Sequence, residues 1–151
     1  MSHRSGAAEY DDDYGTCVET YSTLCIFSDA MSPAVITEGL GIEPTRSFGA
    51  GDLHGKLGQL RRKTNGWFLS TKGQSESRDT RRHLDMLLAH LEDKASAVRA
   101  LQTQGCEFVI TSYWVSVGHG GPSLWPHQMS RLGELGIETW WDVYFQSSDQ
   151  P

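Results

Sequence analysis

Several stretches of the chain have the apolar pattern of β-strands. Residues 19–28 become apolar on both faces in their second half, while 107–117 and 138–145 alternate with a period of two. A short apolar run, Trp67–Leu69, follows the turn-forming pair Asn65-Gly66. A glycine-rich stretch is expected to hold one more short strand near 46–48. The pattern therefore predicts five strands.

A helical period separates these strands. Leucines at three- and four-residue steps predict a helix from about Arg81 to Leu91. The spacing resumes over 95–104, and Asp93 is expected to cap this second piece. Two shorter helices are predicted over 33–40 and 126–135, because each begins with a proline, which is favoured in the first helical turn.

A four-residue repeat links the two short helices. Leu40-Gly41-Ile42-Glu43 ends the first, and Leu135-Gly136-Ile137-Glu138 ends the second. A chance match is the alternative, but each copy stands between two predicted strands. We therefore predict an α+β fold of the split β-α-β (ferredoxin-like) type. We expect an antiparallel or mixed sheet, helices packed on one face and pseudo-symmetric halves.

The composition suggests one domain with polar ends. Residues 1–17, with the run Asp11–Asp13, predict a disordered acidic tail. Residues 18–146 are expected to form a single α+β domain, and 147–151 a frayed C-terminus. No apolar run approaches the roughly 20 residues of a membrane span, and no signal peptide is recognised, so a cytoplasmic protein is expected. The three cysteines form no C-x-x-C pair, which favours reduced thiols.

The linear order of several short motifs resembles the bacterial domain-of-unknown-function family 4279. The motifs are Phe27-Ser28-Asp29, Pro33 with Ile36-Thr37, Leu40 to Thr45, the isolated Trp67, the leucine-rich helix at Leu84 to Leu91, and Asp142-Val143-Tyr144. The resemblance covers roughly residues 20–146. It implies the fold and a bacterial origin, and it implies no activity.

Charge is distributed unevenly along the chain, whose net charge is −6. Residues 1–45 carry eight acidic and one basic residue, whereas residues 46–82 carry nine basic and three acidic residues. A positive block of this kind can attract a phosphate or an acidic partner. It can equally be a solvated hairpin.

The sequence contains no recognisable catalytic motif. His83 and His90 lie seven residues apart, which is too far for one metal ion on a helix, and no zinc-type spacing is present. His54, His119 and His127 could converge only through folding. We therefore predict no catalytic residue, no metal site and no cofactor.

Aromatic and basic residues define a candidate ligand or partner surface. Tryptophan and tyrosine are favoured anchors of protein interfaces. Asp142, which shares a strand face with aromatic residues, is either an acid or a charge that protects an edge strand. Trp125 occupies a cap position where a small polar residue is expected. The candidate surface comprises Arg46, Arg61, Arg62, Lys63, His119, Trp125, Trp140, Asp142 and Tyr144.

These patterns favour a non-enzymatic binding protein with another protein as its partner, in an immunity-like or regulatory role. The alternative is a sensor for a small ligand or anion, bound between the loop at Gly118 and the basic hairpin. An unrecognised enzyme is the third reading. The acidic overall balance argues against nucleic acid as a partner, and no membrane partner is expected.

Overall fold

The computed structural model describes residues 9–147, which contain four helices and seven strands. In chain order they are β1 (Cys17–Ser28), α1 (Pro33–Leu40), β2 (Arg46–Phe48), β3 (Leu53–His54), β4 (Leu60–Arg61), β5 (Asn65–Ser70), α2 (Thr80–His90), α3 (Ala95–Thr103), β6 (Glu107–Ser116), α4 (Pro126–Leu135) and β7 (Glu138–Phe145). None of these helices combines the length and apolar character that a bilayer span requires.

Five strands form one mixed sheet in the order β2-β5-β1-β6-β7. The central strand β1 is antiparallel to β5 and β6, and β2 is antiparallel to β5. Only the β6–β7 pair is parallel. The strands β3 and β4 form a separate hairpin. The α+β class and the mixed sheet are thus confirmed.

One face of the sheet carries the hydrophobic core. Even-numbered residues of β1 and β6, such as Leu24, Ile26 and Ile110, point towards the helices and are fully buried. Trp67 of β5 lies in the same core, where its Nε1–H donates to Thr37 Oγ1 at 3.0 Å. All four helices contribute apolar side chains to this one cluster, among them Ile36, Leu84, Val98 and Leu132.

The two short helices end in the same way but connect different strand pairs. Gly41 and Gly136 both adopt a left-handed conformation, with φ of 68° and 65°, which favours glycine at a helix end. However, β5 lies between β1 and β2, whereas β6 and β7 are direct neighbours. The structure therefore does not show the expected pseudo-symmetry, although both helix ends match the repeat.

Two local predictions are corrected by the structure. Asp93 does not cap α3, because Lys94 occupies the cap position without a side-chain hydrogen bond. Asn65 and Gly66 are the first residues of β5 rather than a turn, and they pair with Ser28 and Phe27 of β1.

An N-terminal segment lies against α2. Residues 1–8 of the predicted tail and residues 148–151 of the predicted frayed C-terminus lie outside the described residues. Within the described residues, the Asp12 carboxylate accepts hydrogen bonds from Arg82 at 2.7 and 2.8 Å and from Ser77 at 2.6 Å. The bond with Arg82 lowers the pKa of Asp12 to about 2. The Tyr10 hydroxyl donates to Asp85. These bonds attach residues 10–12 to the helical layer.

A buried histidine joins the loop before α2 to the end of β5. His83 is fully buried, with Nε2 2.8 Å from the carbonyl oxygen of Ser77 and Nδ1 2.7 Å from the Thr71 hydroxyl. Because a carbonyl can only accept, Nε2 carries the proton and Nδ1 accepts from Thr71. Burial lowers the pKa of His83 below its ordinary value of 6.5.

We expect this histidine to make the fold sensitive to mild acid. The unfolded chain binds the proton near pH 6.5, while the folded chain binds it only at lower pH. The free energy of unfolding should therefore be highest above pH 6.5 and decrease as the pH falls towards the folded-state pKa. Each unit of pKa difference corresponds to about 1.4 kcal/mol. Chemical denaturation between pH 7.5 and 5 measures this slope.

The matched variant is His83→Gln, which cannot take up a proton in this range. Its stability at pH 7.5 should be lower, but its decline towards pH 5 should be shallower than that of the wild type. Parallel declines would show that other groups cause the pH dependence. Asp12 does not interfere, because its contribution is lost only below its ordinary pKa of 3.8.

A second prediction concerns Gly66, which lies under two aromatic rings. A Cβ atom there would be 2.5 Å from Cζ of Phe48 and 2.8 Å from Cε2 of Phe68, so a ring would have to move. We expect Gly66→Ala to lower the free energy of unfolding by about 1–3 kcal/mol. Gly133→Ala is the control, because a Cβ on that helix meets open space. It should stabilise the fold by about 0.5–1 kcal/mol in the same urea titration.

Candidate functional site

The second face of the sheet lacks a helical layer. Because all four helices pack on one side, no helix within residues 9–147 contacts the other side. We call this side the open face. It comprises the odd-numbered positions of β6 and of β1 from Glu19 onward, together with the even-numbered positions of β2, β5 and β7. The strand register places these positions side by side. A surface of this kind can receive a partner.

The first row across the open face runs through all five strands. The register aligns Arg46, Phe68, Cys25, Val109 and Glu138. The Arg46 guanidinium carbon lies 4.4 Å from the centroid of the Phe68 ring, which is a favourable cation–π geometry. The row thus begins with a cation, continues with apolar side chains and ends with a carboxylate.

A second row is built from tyrosines. Tyr21 and Tyr113 are stacked, with ring centroids 5.0 Å apart, and Tyr113 is aligned with Asp142. The Lys72 ammonium lies 5.2 Å from the Tyr21 ring centroid. The Tyr144 hydroxyl donates to Asp142 at 3.1 Å, and this carboxylate raises the pKa of Tyr144. This row also has a cation at one end and a carboxylate at the other.

The third row closes one end of the face. Phe48, Gly66, Phe27 and Glu107 are aligned in successive strands. The Arg62 guanidinium carbon lies 4.0 Å from the Phe48 ring centroid. The three rows therefore share one polarity. Cations lie on the β2–β5 side, carboxylates on the β6–β7 side, and mainly aromatic or apolar side chains between them.

A groove of about 280 Å³ crosses the open face. Its floor has small side chains, Thr23, Cys25 and Thr111, because the residues aligned at this level of β1 and β6 lack rings. Burial raises the pKa of the Cys25 thiol, which makes it a weak nucleophile. Larger side chains, including Tyr21, Tyr113 and Trp140, form its walls. The complete lining is Tyr21, Thr23, Cys25, Arg46, Phe68, Thr111, Tyr113, Trp140 and Asp142.

The edge strand β7 exposes large aromatic residues. The exposed fraction is 47% for Trp140 and 50% for Tyr144, which both lie on the open face. By contrast, Trp67 and Trp114 in the core are almost fully buried. The open face therefore ends in rings that are available for contact with another molecule.

Comparison with known protein families assigns the chain to one of them. The family model described as Domain of unknown function (DUF4279) matches residues 18–146. The chain belongs to this family. The comparisons with curated proteins and with solved structures give no match. The DUF4279 match runs from the second residue of β1 to the residue after β7, so the whole open face lies within the family domain.

The DUF4279 fold brings five of the nine candidate residues to the open face. Arg46, Trp140 and Asp142 line the groove, Tyr144 packs 5.2 Å from the Tyr113 ring, and Arg62 covers Phe48. The other four candidates lie elsewhere: Arg61, Lys63, His119 and Trp125.

The basic hairpin and the loop at 118–122 lie at opposite ends of β1. The Thr64 hydroxyl donates to the carbonyl of Ser28 at 2.9 Å, next to the hairpin. The N–H of Val117 donates to the carbonyl of Thr16 at 2.9 Å, at the other end. The two segments therefore do not form one cleft. Arg61 donates to the hairpin carbonyl of Gly51, and Lys63 and His119 are exposed.

Trp125 lies in the helical layer. Its ring packs 5.3 Å from Tyr10 and lies under the guanidinium of Arg81 at 4.4 Å. The Trp125 side chain does not cap α4. Instead, the side chain of the buried Gln128 accepts a hydrogen bond from the backbone N–H of Trp125 at 3.0 Å and donates one to Asp85 at 2.8 Å. Trp125 thus anchors the N-terminal segment and is half-buried by it.

Sequence reasoning missed Tyr21, Tyr113 and Phe68 as members of the site. The alternation in β1 and β6 already placed these tyrosines on faces opposite the buried positions. That signal becomes informative only when the side of the sheet without helices is known. Within the described part of the chain, no cluster of His, Cys, Asp and Glu side chains has the geometry to hold a metal ion.

Proposed function

We propose that this DUF4279 protein is a non-enzymatic interaction domain that binds a protein on its open face. One observation carries the proposal. A complete sheet face presents aromatic rings between opposite charges, with Trp140 and Tyr144 about half exposed at its edge. Aromatic residues in this arrangement are typical anchors of protein interfaces, and surrounding charges give orientation.

Nucleic acid fits the open face less well than protein. Bases can stack on exposed rings, but a bound strand also needs a continuous positive path for its phosphates. Here Glu107, Glu138 and Asp142 line the side where Trp140 and Tyr144 are exposed. These carboxylates would repel a phosphate backbone.

For the architecture, we propose a split β-α-β (ferredoxin-like) layer extended by α4 and β7. Two parallel strand pairs support it, β1 with β2 and β5 with β6, each separated by one antiparallel strand. The helices α1 and α2–α3 connect the strands of these pairs. The related halves would then be β1-α1-β2 and β5-α2-α3-β6. The four-residue repeat instead relates β1-α1-β2 to β6-α4-β7.

Site-specific photo-crosslinking tests the proposed interface. A benzoylphenylalanine at position 140 of the full chain should give a covalent adduct with one defined protein in the cell, identified by mass spectrometry. The matched control is position 129, because Met129 has 51% exposure, close to Trp140, but lies on α4. Position 129 should give no adduct with that protein.

The adduct also distinguishes between partners. Either a second copy of the chain or a different protein at position 140 supports an interaction surface. Equal adducts from positions 129 and 140, or none from 140, would contradict it.

A small-ligand sensor is the second candidate, because the groove carries a cation and a carboxylate together. Arg46 and Asp142 line the same space as Tyr21 and Tyr113. This combination suits a flat ligand with an anionic and a cationic group, such as an aromatic amino acid.

Thermal-shift measurements with the aromatic amino acids test this candidate. A true ligand at 100 times its Kd should stabilise the fold by about 2.7 kcal/mol. Arg46→Ala should abolish the shift, whereas Arg99→Ala, which removes an exposed arginine of α3, should retain it. Equal shifts in both variants would show binding outside the groove.

A further inference from the structure

We propose that the occupant of the open face is a second copy of this chain, packed sheet against sheet. The inference rests on the proposed function, since it names the partner of the same surface. Its basis is the polarity of the three rows, which makes the face complementary to itself.

Symmetry decides how two copies can face each other. The strand β1 is the middle strand of the sheet, with β2 and β5 on one side and β6 and β7 on the other. A two-fold axis parallel to β1 places the β2–β5 side of one copy over the β6–β7 side of the second copy. A two-fold axis across the strands would instead place like charges over like charges, which is unfavourable.

The axis parallel to β1 keeps every row at its own level along the strands. Arg46 and Glu138 lie at the two ends of one row. Arg46 of each copy therefore faces Glu138 of the other copy. The same operation brings Lys72 of one copy towards Asp142 of the other. It likewise brings Arg62 of one copy towards Glu107 of the other. All three rows therefore pair a cation with a carboxylate. One like-charge contact remains, because the exposed Glu19 lies on β1, next to the axis, and faces Glu19 of the second copy.

The middle of the face supplies the apolar contact. Val109 lies between the charges of the first row, Tyr21 and Tyr113 lie between those of the second, and all three are half-buried. Phe68 and Cys25 lie deeper, with 7% and 6% exposure. Facing sheets pack about 10 Å apart, which leaves room for these side chains to interdigitate.

The size of the face approaches that of a dimer interface. With strands about 4.8 Å apart and a rise of about 3.3 Å per residue, the 39 residues of the five strands cover roughly 600 Å². A standard stable interface buries about 800 Å² per partner. The exposed rings of Trp140 and Tyr144 on β7 extend the contact at the border of this area.

Sedimentation velocity of the full chain tests the proposal by charge reversal. The wild type should sediment as a dimer at micromolar concentration. Arg46→Glu and Glu138→Arg should each sediment as monomers, because both variants place like charges opposite each other twice in every dimer. We expect the dimer Kd to rise by about 100-fold in each case.

Mixing the two variants is the decisive measurement. In a heterodimer, glutamate at 46 faces arginine at 138, and arginine at 46 faces glutamate at 138, so an equimolar mixture should regain the dimer. The double variant Arg46→Glu/Glu138→Arg should also dimerise by itself. The control Arg99→Glu makes the same charge change on α3 and should leave the dimer intact.

Three outcomes would overturn the self-association. They are a wild type that stays monomeric up to about 100 µM, a dimer insensitive to both reversals, and a mixture that remains monomeric although circular dichroism shows both variants folded. None of these decides the proposed function, because a position-140 adduct with a different protein would still support the interaction surface.

Discussion

One-sided burial is the constraint on which the structure depends. Even-numbered positions of β1 and β6 carry Leu24, Ile26 and Ile110, and these side chains leave water only if helices cover that side. The four helices of the described chain all satisfy this requirement on the same side. The odd-numbered positions of β6, and those of β1 from Glu19 onward, are consequently left on a face without helical cover.

The open face is stabilised laterally rather than by a second layer. Its rings pack against each other, as Tyr21 does on Tyr113, and cations lie over them, as Arg46 does over Phe68. Such contacts leave Tyr21 and Tyr113 half-buried, whereas Phe68 is buried, with 7% exposure. The face can therefore be stable in an isolated molecule and still gain apolar contact when another sheet packs on it.

Buried and half-buried polar side chains bond the loops and the N-terminal segment to helix α2. The buried His83 joins Thr71 to Ser77, and Gln128 joins the start of α4 to α2. Asp12 and Tyr10 hold the N-terminal segment against α2. None of these bonds involves a side chain of the open face, and together they hold the helices and the N-terminal segment in place.

The sequence by itself determined the elements that local patterns encode. The period of two predicted the long strands, the leucine spacing predicted α2, and Pro33 with Gly41 delimited α1, because these signals depend on neighbouring residues. The tertiary structure alone decided which strands are neighbours and which sheet face the helices cover. It also decided the role of Trp125, and it aligned Arg46 with Glu138, which are 92 positions apart in the chain. Such alignments depend on long-range strand pairing, for which the local pattern carries no information.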